Sequence, residues 1–351
     1  AALTHTDASG TTAVGHSALA ALTSGAFNLA VGYQAGDAIT TGSYNIAIGD
    51  SALGAETDCD ASIAIGYQAG LLQVSAGSAG DDTGNTLVGH QAQRFNETGT
   101  NNTYLGYKAG YGASGQNNSN NTAIGSLAHD AVTSGDNNSS LGYAALSSST
   151  TGSENVAIGQ SALNSLVSGA GNVALGRAAS SSMGVAETGN IAIGYHSMLS
   201  MDEGSGGNVN YNIAIGYEAL TGGDLNTAST DVTDCIAIGA QALNSTSTNA
   251  QVGTIAIGTN ALTALTSGAS NTAVGYTAGT AITTGERNTI LGYEALDGGS
   301  TEVDDNTAIG FRAMTGAIGT EAVNDCVAIG SYALYGALEE EASGTIAIGV
   351  T

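Results

Sequence analysis

The chain has 351 residues, 53 of them Gly, no Pro, no Trp, 42% hydrophobic and only 10% charged residues, a balance foreign to an average globular enzyme. Its formal charge is −25, and its five cations, Arg94, Lys108, Arg177, Arg287 and Arg312, are scattered singly, which excludes the cationic footprint of a nucleic-acid binder. No apolar run approaches the roughly 20 residues that span a bilayer, so no membrane insertion is expected.

Residues 1–10 hold no repeat. From there a pentad of the type Asn45-Ile46-Ala47-Ile48-Gly49 recurs to Thr345-Ile346-Ala347-Ile348-Gly349. Its glycine falls nineteen times, from Gly15, Gly32, Gly49 and Gly66 through Gly125, Gly142, Gly159 and Gly176 to Gly310, Gly330 and Gly349. The commonest spacing is 17 residues, and every departure is an insertion. A fixed minimum with tolerant excess is the signature of stacked coils. The fold expected is all-β: one parallel β-solenoid (β-roll) of about nineteen coils, a single domain over 1–351.

Within a coil, the residue before the glycine is Val, Ile or Leu in all copies, and the residue three before it is β-branched or Leu in all but Ser139. Period two puts these on one strand face, expected to be the core. The residue between them, Ala in fifteen copies, is expected to point outwards and invite another sheet. After the glycine comes Gly-x-x-Ala-Leu, as in Gly159-Gln160-Ser161-Ala162-Leu163, expected as a second short strand. A closing turn follows with glycine at Gly25, Gly42, Gly99, Gly135, Gly152, Gly169, Gly268 or Gly285.

The first pentad residue is Asn at Asn28, Asn45, Asn85, Asn102, Asn121, Asn138, Asn155, Asn172, Asn190, Asn212, Asn271, Asn288 and Asn306. Stacked at one corner, these amides are expected to hydrogen-bond from coil to coil. Cys235 and Cys326 substitute at this position and Cys59 at a closing turn. The three lie too many coils apart to meet the roughly 7 Å Cα limit of a disulfide.

Directly after the pentad glycine stands an aromatic row, Tyr33, Tyr67, Tyr107, Tyr143, Tyr195, Tyr217, Tyr276 and Tyr293, which either covers the corner by stacking or offers a surface to a glycan. Acidic residues gather before the pentads, among them Asp60, Asp81, Asp82, Asp231, Asp234, Asp304 and Asp305. They read as a solvated edge, or as hard oxygen ligands suited to Ca2+. The five histidines show no metal-ligand spacing, and no nucleophile elbow or P-loop is present, so no enzyme activity is expected.

The ends sum to one coil. Ile348-Gly349-Val350-Thr351 followed by Ala1-Ala2-Leu3 places Gly15 17 residues after Gly349, as head-to-tail stacking would require. The run Asn212-Ile213-Ala214-Ile215-Gly216-Tyr217-Glu218-Ala219 resembles the head repeats of trimeric autotransporter adhesins and is similar to phage tail-fibre repeats. That resemblance implies a β-roll, an extracellular or cell-surface location and binding to matrix or other surfaces. Two functions follow as expectations. One is a structural subunit of an extracellular filament, partnered by copies of itself head to tail and laterally through the Ala face. The other is an adhesin or tail-fibre rod presenting loops 70–84, 196–211 and 221–234 to a surface glycan or matrix ligand.

Overall fold

A computed structural model describes residues 8–74, 82–201, 207–222, 231–245, 251–298, 303–316, 323–336 and 343–350. The chain is an all-β parallel β-solenoid, with no helix among the described residues. It divides into two compact units, residues 1–171 and 172–351.

In the first unit each pentad forms a three-residue strand: Thr12–Val14, Leu29–Val31, Ile46–Ile48, Ile63–Ile65, Thr86–Val88, Thr103–Leu105, Thr122–Ile124, Ser139–Leu141 and Val156–Ile158. Each pairs in parallel with the next, in register, so that Ala30 faces Ala47 and Ala47 faces Ala64. The second unit repeats this from Val173–Leu175 to Ile346–Ile348. Its longer coils add a small parallel sheet of Asn208–Asn210, Asp231–Thr233 and Gln251–Val252.

The pentad glycine is the tightest point of the coil. Gly49 has φ +133°, a conformation L residues avoid, and a Cβ there would lie 2.4 Å from the Gly66 carbonyl oxygen of the next coil. Beyond it the expected second strand does not form. Residues two and four after the glycine adopt positive φ, as at Ser51 (55°) and Leu53 (50°), while coil-to-coil bonds continue, Leu53 N–H donating to the Ala69 carbonyl. This alternation bends the chain round within a few residues, which an extended strand could not do.

The strand faces are the reverse of the expectation. The central alanines, Ala30, Ala47, Ala64 and Ala123, are buried, whereas the flanking aliphatics face outwards: Val14 is 57% exposed and Leu141 47%. Alternation specifies which residues share a face but not which face is inner. A 17-residue coil encloses a narrow interior, and only a methyl group fits between the strand and the opposite wall of Ala52, Leu53 and their equivalents. Each coil therefore buries little, at about 0.8 kcal/mol per CH2, and stability accumulates by stacking.

Each large residue that replaces the inner alanine packs against a Gly at the wall position that is commonly Leu, on the preceding coil for Leu87 and Ile290 and on the same coil for Tyr104. A Cβ on Gly70 would come within 2.8 Å of Leu87, one on Gly279 within 2.9 Å of Ile290, and one on Gly110 within 2.5 Å of the Tyr104 ring. Tyr104, fully buried, donates its hydroxyl to Asn118 Oδ1 at 2.8 Å. Tyr104→Ala is expected to cost about 3–5 kcal/mol, and adding Gly110→Leu to recover most of it by restoring the common Ala/Leu pair. Urea denaturation of both single variants and the double variant measures this coupling.

Candidate functional site

Three columns and one face run through the coils, and their geometry separates scaffolding from surfaces free to bind. The Asn column is scaffolding. In the first unit Asn28 Oδ1 accepts the Asn45 N–H at 2.9 Å, and Asn28 Nδ2 donates to the Gly42 carbonyl at 2.7 Å. The same pair of bonds links Asn85 to Asn102 and Gly99, Asn102 to Asn121 and Asn118, Asn121 to Asn138 and Gly135, and Asn138 to Asn155 and Gly152. Asn45 bonds forward to Ser62 and Cys59, and Asn155 Nδ2 to Gly169. In the second unit Asn172, Asn190, Asn212, Asn271, Asn288 and Asn306 repeat the arrangement, and the N–H groups of Cys235 and Cys326 take Asn212 and Asn306 as acceptors. All thirteen are buried.

The three cysteines are buried and unbridged. Burial pushes the Cys235 thiol up to about 11, keeping it protonated and unreactive at neutral pH.

The aromatic column stacks along the coil axis. Tyr33 lies over His16 at 5.2 Å, Tyr67 and Tyr107 lie on either side of His90, Tyr195 lies over Tyr217 at 5.6 Å, and Tyr276 and Tyr293 continue to Phe311. Tyr143 is exposed. Because ring faces are spent on one another, these stacks present mainly edges and hydroxyls to solvent, a poor platform for stacking sugars.

The acidic positions are engaged singly. Asp60 Oδ1 accepts the Ser43 N–H at 2.6 Å and Asp304 Oδ1 the Glu286 N–H at 2.8 Å, each capping the coil before it. Asp231 accepts from Asn208 Nδ2, and Asp234 holds a positive-φ corner. Asp305 is paired with Arg287, whose guanidinium holds its carboxyl below the usual range. Asp82 is exposed and bridges Asp60 through the backbone, while Asp81 lies outside the described residues. Among the described residues, one group brings three potential ligand atoms within 4.8 Å, Glu56, Asp58 and Cys59, and it includes none of these aspartates. Glu56 in it already accepts from Cys59 N–H and Gln73 Nε2.

Of the expected assembly ends, Ala1, Ala2, Leu3 and Thr351 lie outside the described residues, and Ile348, Gly349 and Val350 are exposed. Of the expected binding loops, residues 75–81, 202–206 and 223–230 likewise lie outside them.

The feature missed in the sequence is the outward face of the strands. In the first unit it carries Val14, Val31, Ile48, Ile65, Val88, Leu105, Ile124, Leu141 and Ile158 in one column, beside a second column of aliphatic residues, Thr and Ser139. Nine strands at ~4.8 Å and about 10 Å of width give roughly 400 Å² of uncharged, largely aliphatic sheet in that unit alone, the size at which an exposed patch marks an interaction surface. The signal of this face in the sequence is an all-aliphatic position, which by itself does not distinguish the outer side of the strand from the inner.

No family model, curated protein or solved structure matches the chain.

Substituting Asn138→Ala would orphan the buried Asn155 N–H and Gly152 carbonyl, at about 1–3 kcal/mol for each. A loss of roughly 2–5 kcal/mol in chemical denaturation is expected, and a smaller one for Asn138→Ser, the residue that Ser62 supplies naturally.

Proposed function

We propose that this chain is a structural, non-catalytic element of an extracellular filament, built from copies that meet sheet to sheet. The observation that carries this reading is the outward face, an aliphatic stripe along each unit of a chain of formal charge −25. Carboxylates keep the corners hydrated and mutually repelling, so the face free of charge is the one where copies can approach. Side chains standing in register at one strand spacing complement an identical array, as between paired sheets generally.

End-to-end continuation is the second part of the proposal. Strand Ile346–Ile348 pairs with Val327–Ile329 on one side, and beside it lies a recess of about 330 Å³ lined by Ala333, Leu334, Ala347 and Val350. Such an edge takes a further coil by strand addition, either chain continuing beyond Thr351 or another copy.

Ile48→Glu with Ile65→Glu puts two charges on the outward face and leaves the interior untouched. Sedimentation velocity should show wild-type assemblies and at least a roughly 100-fold weaker association of the variant, with circular dichroism unchanged. Wild-type chain that stays monomeric at high concentration, or a variant that associates equally well, would refute the reading.

A further inference from the structure

The interior of the first unit changes character over four coils. The wall position four after the pentad glycine, Leu53, Leu146 or Leu163 elsewhere, reads Gln93, Gly110 and His129 in succession, joined by Gln93 N–H to the Ala109 carbonyl and Gly110 N–H to the Ala128 carbonyl. Gly110 has no side chain, and the Tyr104 ring takes its place. Two more inward positions carry hydroxyls, Ser140 on its strand and Ser149 on the wall.

These polar groups are buried without partners. Both amide atoms of Gln93, Asn118 Nδ2, both ring nitrogens of His129, and the hydroxyls of Ser140 and Ser149 make no hydrogen bond. Each such group loses its hydration without gaining a hydrogen bond, and a concentration of them within one stretch marks the coils held least firmly to their neighbours.

His129 makes that weakness conditional. Its imidazole is fully buried, and burial alone lowers its pKa to about 3. Charged and titratable groups on its own coil are Asp130 and Asp136, those on the preceding coil Tyr104, Tyr107, Lys108 and Tyr111, and those on the following coil Tyr143 and Glu154. None of them compensates an imidazolium: Asp136 Oδ1 is bonded to the Ser119 N–H, and Asp130 is itself pushed up by burial. A proton arriving on His129 therefore has no counter-charge inside the coil, whereas an opened coil gives it water.

We propose that the coils from Gln93 to Ser149 form an acid-opening segment, which stays closed at neutral pH and separates from its neighbours when His129 takes up a proton. The sign follows from linkage. The opened state binds the proton below the ordinary histidine value near 6.5 and the closed state only near 3, so closure is complete above that upper value and weakens as pH falls through the interval. The device stands independently of sheet-to-sheet assembly, since it resides in the interior of a single chain.

Hydrogen exchange read by mass spectrometry at pH 7 and pH 5, corrected for intrinsic exchange, tests this on the full chain. Amides from 93 to 149 should open roughly 25-fold more at the lower pH, while the coils of residues 12–70 change little, and His129→Leu should abolish the difference. His129→Gln, which places in this column the residue that Gln93 already supplies, serves if the leucine variant does not fold. Equal acid sensitivity along all coils, or persistence of the effect in the folded variant, would overturn the proposal.

Discussion

The structure depends on one contact, the approach of backbone to backbone at the pentad glycine. A Cβ on Gly15, Gly32, Gly49 or Gly66 would stand 2.2–2.4 Å from the carbonyl oxygen of the next coil. Strand ladders need neighbours ~4.8 Å apart, and at this corner the main chain turns into the gap that a side chain would fill. Every other regularity is referred to this spacing. The Asn amides span it, the aromatic rings stack at it, and insertions enter only where the chain is free of it.

The narrow interior is the second constraint, and it explains both what the composition avoids and what it permits. Alanine lines the strand because the wall is close, and a tyrosine is admitted only where Gly110 removes the facing side chain. Volume is balanced between facing positions of the same or adjacent coils rather than at any one position, as close packing requires. The polar stretch around His129 departs from that economy by keeping the volume and giving up the hydrogen bonds.

Much of this was legible from sequence. The 17-residue period, the parallel solenoid and the coil-to-coil position of Asn45 or Asn138 all follow from spacing and residue chemistry. The orientation of the strand was not, because Ile46-Ala47-Ile48 alternates identically whichever face is inner, and the deciding quantity is the width of a closed coil. The turns after the glycine were misjudged because Leu53 and Leu146 occupy positive-φ conformations that their residue type does not announce. Gln93 and His129 carried no motif, and their solitude shows only when the interior around them is seen.

The Asn column has a direction. Asn28 gives its oxygen to the N–H of Asn45 and its amide hydrogen to the carbonyl of Gly42, so both bonds reach into the coil made later in synthesis. Each coil therefore offers one acceptor and one donor to the coil that follows it in the chain, so the column is polar: its two ends differ, the first described coil having no Asn before it to receive from and the last having no described coil after it to bond.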